Sequence, residues 1–347
     1  MTNIKNIEDK TKLKKLCIQL LEEEAPIKIL EASRELYQLL SHTSGVNEYD
    51  SNYKHDLQTA SGKAISTLWA AMCITDFLRT QRFFKGIHHA VIDSKQKYPG
   101  EKINILYAGS GPFATLALPV MCFFSSDEIS FTLIEIQETS VQCLQTILEY
   151  YDFQEHVCAL IQTDATSYQL EKSKKIHIVI SETMQHALEK EPQVEISMNL
   201  ARQIEKDTIW IPQSIMIDAG LINKKKDQDR QMGLLPSHDT TYIVMGNILD
   251  LNKDSASKMV LDVNKNIHFK VKPIFKFSKE KTISYPWMAL FTTIHIYGNQ
   301  YLRTGESGLC EPRILADLSI QHSLPDQIKF EYRTGSNPGF VYELLYL

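Results

Sequence analysis

The chain has 347 residues, a formal net charge of -5, and 43% hydrophobic against 23% charged residues. At roughly 150 residues per domain this length excludes a single small module, and the composition is that of a chain able to bury a core, which excludes disorder as the default. The mild acidity supplies no long-range field to concentrate a polyanion, so nucleic acid is not an expected partner.

The polar start from Met1 to Lys15 lacks the apolar stretch of a signal peptide, and the most apolar run, Phe113 to Phe124, is too short to span a bilayer. The six cysteines are widely spaced with no close pair of the kind zinc or redox motifs need, so they read as small buried apolar residues of a protein in the reducing cytoplasm. Neither a metal nor a membrane is expected. Leu13, Leu16, Leu20, Ile29, Leu36 and Leu40 recur at helical spacing, with Pro26 separating two helices. Ser41 to Ser61 reads as a loop, Ala64 to Ile92 as helix, and Pro99-Gly100 as the next boundary.

Beyond Lys102 short β-rich runs alternate with helical stretches, the pattern of a parallel sheet covered by helices. Strands are expected at Ile103–Tyr107, Ser130–Ile134, Val157–Gln162, Ile176–Ile180 and Ile215–Leu221. Helices are expected over Ala114–Phe124, where Pro119 must occupy the first turns or cause a bend, and along the face of Val141, Leu144, Leu148 and Tyr151. After Ala219 the runs Tyr242–Met245, Ile267–Val271, Leu290–Tyr297 and Ile328–Tyr332 predict an antiparallel β unit, a sandwich or small barrel. Lys224 to Lys226, followed by Asp227 and Asp229, reads as a solvated loop. The expected organisation is a helical region over 1–100, a Rossmann-like α/β domain over 101–221 and a β-rich domain over 222–347.

The segment Ile103-Asn-Ile-Leu-Tyr-Ala-Gly-Ser-Gly-Pro-Phe-Ala114 runs from an apolar strand into a glycine turn and a helix. Gly109 and Gly111 permit a tight bend and close approach of a ligand, with helix N–H groups left to face it. Glu135, after the second strand, stands where α/β nucleotide-binding folds place a carboxylate for ribose hydroxyls. Asp164, after the third, is placed to meet an adenine amino group. Because the turn also fits GxGxxA, an NAD-dependent oxidoreductase is an open alternative, as is a non-catalytic nucleotide-binding protein. After the fourth strand, the segment Ser181 to Glu191 sets acids beside the expected pocket, and two carboxylates there could grip a cation such as a guanidinium.

Here the chain resembles the protein arginine methyltransferases, a class I S-adenosylmethionine-dependent family. Its double-E loop, S-E-x-M with a second acid nine residues after the first, is matched by Ser181, Glu182, Met184 and Glu191, with Glu189 the substitute if the register differs. The family's D-x-x-R-T segment, whose arginine binds the cofactor carboxylate, is matched by Asp76, Arg79 and Thr80. The resemblance covers about Asp76 to Leu221, and the rest follows in outline. It implies that Arg79, Gly109, Ser110, Gly111, Glu135, Asp164 and Ala165 hold S-adenosylmethionine, while Glu182 and Glu191 act on a small-molecule or peptide acceptor bearing a guanidino or amino group; a homodimer is compatible. The chain departs from the pattern at Tyr107, where the family has an acid, and at Phe113, where it has a third glycine, so the turn must differ because Phe resists positive φ. Tyr49 and Tyr53 lie farther from Arg79 than the family's tyrosines, and Tyr285-Pro-Trp287 stands nearest to its Thr-His-Trp loop but has no histidine. His186, Trp210 and Trp287 read as loop and packing residues.

Overall fold

A computed structural model describes residues 2–171, 174–235, 240–260, 266–267, 274–321 and 323–347. Two helices open it, α1 (Thr2–Glu22) and α2 (Pro26–Ser44), with Pro26 in the first turn of α2, where its missing N–H costs no hydrogen bond. The expected loop holds a small hairpin, β1 (Leu57–Thr59) and β2 (Gly62–Ala64). The helix expected over 64–92 is instead two, α3 (Thr67–Met72) and α4 (Phe77–Lys97), because the side chains of Ser66 and Asp76 each cap a helix start. Thr80, Phe83, Phe84, Ile87, Ala90 and Val91 form the buried face of α4.

Five parallel strands follow: β3 (Ile103–Ala108), β4 (Ile129–Glu135), β5 (Val157–Gln162), β6 (Ile178–Ser181) and β7 (Ile209–Ile211), in spatial order β5-β4-β3-β6-β7. Every residue of β4 is buried, as a strand covered on both faces requires. Between the strands run α5 (Leu118–Phe123), α6 (Glu138–Tyr150) and α7 (Gln193–Ala201). Chain order reverses between β3 and β6, which places the ligand crevice of such a sheet at their carboxyl ends. The helix expected from Ala114 is confined to α5, with Pro119 in its first turn, because residues 111–117 are taken up by the glycine turn.

The strand expected at 215–221 does exist, as β8 (Ser214–Ile222), but it does not belong to the parallel sheet, whose last strand is the three-residue β7. The first part of β8 alternates in burial, the signature of an antiparallel sheet with one dry face. It pairs with β9 (Tyr242–Asn252) and β12 (Trp287–Tyr297), and β12 also pairs with β13 (Gln300–Leu302) and β14 (Arg313–Asp317). A second antiparallel sheet joins β10 (Asn266–Ile267), β11 (Phe275–Lys276), β15 (Gln327–Arg333) and β16 (Gly339–Leu345). Of the run expected at 267–271, residues 268–271 lie outside the described ones. Phe275 of β11 lies so close to Gly246 of β9 that a Cβ there would stand 2.7 Å from the ring. The β unit is thus two antiparallel sheets in contact.

Lys224 to Asp229 is no loop but part of α8 (Lys224–Gln231), because Asn223 caps it and Asp227 turns inward to Arg230, Gln231 and Thr241. Two short helices, α9 (Lys253–Lys258) and α10 (Lys279–Ser284), complete the β unit. Among the described residues no helix is long and apolar enough to cross a membrane.

Candidate functional site

Arg79, Gly109, Ser110, Gly111, Glu135, Asp164, Ala165, Glu182 and Glu191 all line one cleft at the carboxyl ends of β3, β4, β5 and β6, enclosing about 1010 Å³ that is partly open to solvent. Sequence positions spread over more than a hundred residues therefore converge because successive parallel strands deliver their ends to one edge.

The glycine turn differs from a three-glycine turn at Phe113. Gly109 and Gly111 have φ of 74° and 64°, and the third positive φ, 44°, falls on Ala114, so that Phe113 avoids it and packs fully buried. The amides of Gly109 and Ser110 donate to the Ile134 carbonyl, and that of Gly111 to Glu135 Oε2 at 2.8 Å. These three turn amides are thus bonded within the protein. What the turn offers instead is Ser110 Oγ, a buried hydroxyl with no protein partner, and the close approach allowed by glycine. Thr183 Cγ2 lies 2.2 Å from where a Cβ on Gly109 would stand, so position 109 tolerates no side chain.

Glu135 also accepts from the amides of Ile136 and Gln137 through Oε1. Burial raises its pKa, opposed by those three backbone bonds. A carboxylate has about four lone-pair positions, so three amides leave one for a hydroxyl donor. Asp164 Oδ1 accepts from Thr166 N and Oγ1 at 2.8 and 2.7 Å, which fixes its orientation.

Arg79 enters from the first turn of α4, where Asp76 Oδ1 accepts its backbone N–H. Its Nη2 donates to Glu182 Oε2 in a buried ion pair, while Glu182 Oε1 is buried without a protein partner. The residue assigned to the cofactor and the residue assigned to the acceptor thus touch each other, which the sequence did not reveal. Burial raises the pKa of Glu182, with Arg79 pulling the other way. Glu191 is pushed up to about 7, first by burial and then by the negative charge of Glu182. Glu189 faces elsewhere, bound to Arg313 Nε at 2.7 Å, so the register favours Glu191.

The loop from Glu182 to Glu191 is strained. Ala187, Leu188 and Lys190 have φ of 53°, 56° and 66°. The β unit holds it there: Ala187 N donates to Thr292 Oγ1, Tyr332 OH to the Leu188 carbonyl and Lys190 N to the Pro338 carbonyl. On the other side Lys63 N of the hairpin donates to the Lys190 carbonyl at 2.7 Å.

A second cavity of about 820 Å³ adjoins the cleft and shares Lys63, Ile65, Cys73, Arg79, Glu182 and Glu191 with it. Trp69, Met184, Gln185, His186, Gly308 and Leu309 complete its wall, so His186, read as an ordinary loop residue, faces a cavity. Sequence reasoning missed Lys63, Ile65, Trp69, Cys73, Gly308 and Leu309, none of which carries a local signal because the fold brings them from the hairpin, α3 and the β unit. Tyr107 is buried beside Glu182 and Arg79, and its pKa is raised by burial first. Tyr285 and Trp287 lie outside both cavities; Trp287 instead packs under the Lys224 ammonium, 4.2 Å from its ring centre. Trp210 is buried. No group of His, Cys, Asp and Glu able to hold a metal occurs among the described residues.

No protein-family model matches the chain, and no curated protein matches it. Among solved structures it is similar to the PRMT1 enzyme-prozyme heterotetrameric complex with AdoHcy from Trypanosoma brucei, at 11% identity over 79% of this chain and 92% of that chain with a TM-score of 0.48. It is also similar to protein arginine methyltransferase 10 of Arabidopsis thaliana, at 11% identity over 75% and 86% with a TM-score of 0.48. For PRMT6-SAH the values are 13% identity, 74% and 96%, with a TM-score of 0.49.

Proposed function

We propose that the chain is an S-adenosylmethionine-dependent methyltransferase acting on a guanidino or amino nitrogen of arginine, an arginine-like metabolite or a peptide. The observation that carries this reading is the placement of Glu182 and Glu191, two buried acids at the junction of the cleft and the second cavity, with Arg79 paired to Glu182 at the same junction. The cleft's lining fits the cofactor: Arg79 suits a carboxylate, Glu135 a ribose hydroxyl, Asp164 an amino group, and Ile134, Ile136 and Ala165 an apolar base. When bound, the cofactor supplies a methyl group made electrophilic by its sulfonium.

The protein's own part is placement and charge. A guanidinium has five N–H donors in a planar fork, so Arg79 can hold Glu182 through Nη2 and still present donors to a carboxylate in the cleft. Glu182 Oε1, buried and unpartnered, is the acceptor atom left for the substrate's N–H groups. Glu191, near its midpoint at neutral pH, is suited to take the proton that the methylated nitrogen must lose. Holding the nitrogen between two fixed acids lowers the entropic part of the barrier.

Titration with S-adenosylmethionine, S-adenosylhomocysteine and NAD, followed by assay of S-adenosylhomocysteine release with arginine, arginine peptides and small amines, tests the reading. Binding of the first two with release on at least one acceptor is expected; tight NAD binding with neither of the others would sink it.

A further inference from the structure

Building on the proposed function, we infer that Trp69 is a specificity-determining residue, an indole wall along which the stem of the acceptor lies while its nitrogen sits between Glu182 and Glu191. Trp69 is 60% exposed, whereas the other residues of its helix that point inward, Leu68 and Ala71, are buried. An indole left in water forgoes a large apolar burial, so a rigid one at the rim of a cavity is a surface waiting to be covered. The backbone that carries it is fixed locally: the Ser66 side chain caps α3 by accepting the Trp69 backbone N–H, and Ala70 and Cys73 line the first cleft.

The second cavity has a buried interior and an exposed rim. Glu182 and Glu191 are 9% and 6% exposed, Met184 and Leu309 are buried apolar side wall, and Trp69 is the exposed rim. The two cations on its wall already have anionic partners, Lys63 with Asp56 at 2.8 Å and Arg79 with Glu182. The cavity therefore sets two buried acids beside the buried apolar side chains of Met184 and Leu309, with half-buried Gln185 and His186 and the exposed indole of Trp69 nearer solvent. Two acids and an indole on one cavity wall match a nitrogen base on an uncharged, largely methylene stem, which an indole face covers well and which a charged stem would not offer.

The test uses the full-length protein with agmatine and arginine amide as acceptors, following S-adenosylhomocysteine release, together with calorimetric titration of the same two compounds into the protein saturated with S-adenosylhomocysteine. Trp69→Ala is expected to raise KM and the acceptor Kd about fivefold or more, the size of a lost aromatic contact, with kcat within about twofold. Cofactor affinity stays at the wild-type value, which also reports that α3 is folded, and Trp69→Phe restores most of the loss. Wild-type KM and Kd in Trp69→Ala overturn the inference, as does a fall in kcat with KM unchanged. If wild-type protein turns over the acceptors while Trp69→Ala is unaffected, only the role of Trp69 falls; if wild-type protein neither binds nor turns over either compound, the acceptor reading falls with it.

Discussion

Glu191 carries a carboxyl group pushed up to about 7, so at neutral pH it is divided between its two forms. If it must be ionised to receive a proton, the rate rises with pH through about 7, and Glu191→Gln removes both the rise and most of the activity, as a pH-rate profile of the two proteins would show. The same group affects stability with the opposite sign. Its folded pKa lies above the ordinary 4.5, so the folded state holds the proton more tightly; that stabilisation is present below 4.5 and is lost as pH rises through about 7. Denaturant unfolding of wild type should therefore lose about 3 kcal/mol across that window relative to Glu191→Gln. The Arg79–Glu182 pair behaves differently, because removing one partner strands the other in a buried site. Arg79→Ala and Glu182→Ala should each cost roughly 3 to 5 kcal/mol, while Arg79→Met with Glu182→Leu recovers much of it, although no activity. Single variants as stable as the double one would show that the pair contributes nothing.

At the scale of elements, the acidic loop holds three non-glycine residues in the left-handed region, a conformation of order 1 kcal/mol or more per residue that persists only where surroundings impose it. Tyr332 is one such restraint, fully buried in β15 with its hydroxyl 2.7 Å from the Leu188 carbonyl. Tyr332→Phe should reduce stability by about 1 to 2 kcal/mol and, on the proposed function, lower kcat while leaving S-adenosylmethionine affinity unchanged, because that reading gives the loop the acceptor and not the cofactor. A variant with lower cofactor affinity and normal kcat would contradict that division. The strain explains why the loop is legible in sequence only as spacing. Ser181, Glu182, Met184 and Glu191 stand at a recognisable separation, but nothing local announces positive φ at Ala187, Leu188 and Lys190, which the β unit enforces from outside.

Across the whole molecule, α4 is the part that joins the two sheet systems. Its first turn carries Arg79 into the cleft, Asp76 Oδ2 accepts from Ser307 Oγ and Gly308 N beside the second cavity, and Gly86 abuts β12. A Cβ on Gly86 would stand 2.7 Å from Ile296 Cγ2, so Gly86→Ala should force α4 off the β unit at a cost of roughly 1 to 3 kcal/mol. Thermal unfolding would detect the shift; an unchanged midpoint would mean that the Ile296 side chain simply turns away. The helix thus joins the cleft to the second cavity through packing and two hydrogen bonds.

By itself the sequence determined the alternation of strand and helix, the glycine turn at Gly109 to Gly111, and the acids Glu135, Asp164 and Glu182 at strand ends, because periodicity and turn chemistry are local and parallel strands present their ends on one side. Only the tertiary structure decided that β8 pairs with β9 and β12, since a strand's pattern states how many faces are buried and not which strand lies beside it. It also decided that Lys224 to Gln231 is a capped helix, that the turn's amides are spent on Ile134 and Glu135, and that Arg79 meets Glu182. Trp69, Lys63 and Leu309 come to the second cavity from three separate elements, and their side chains acquire a role only through neighbours distant in the chain.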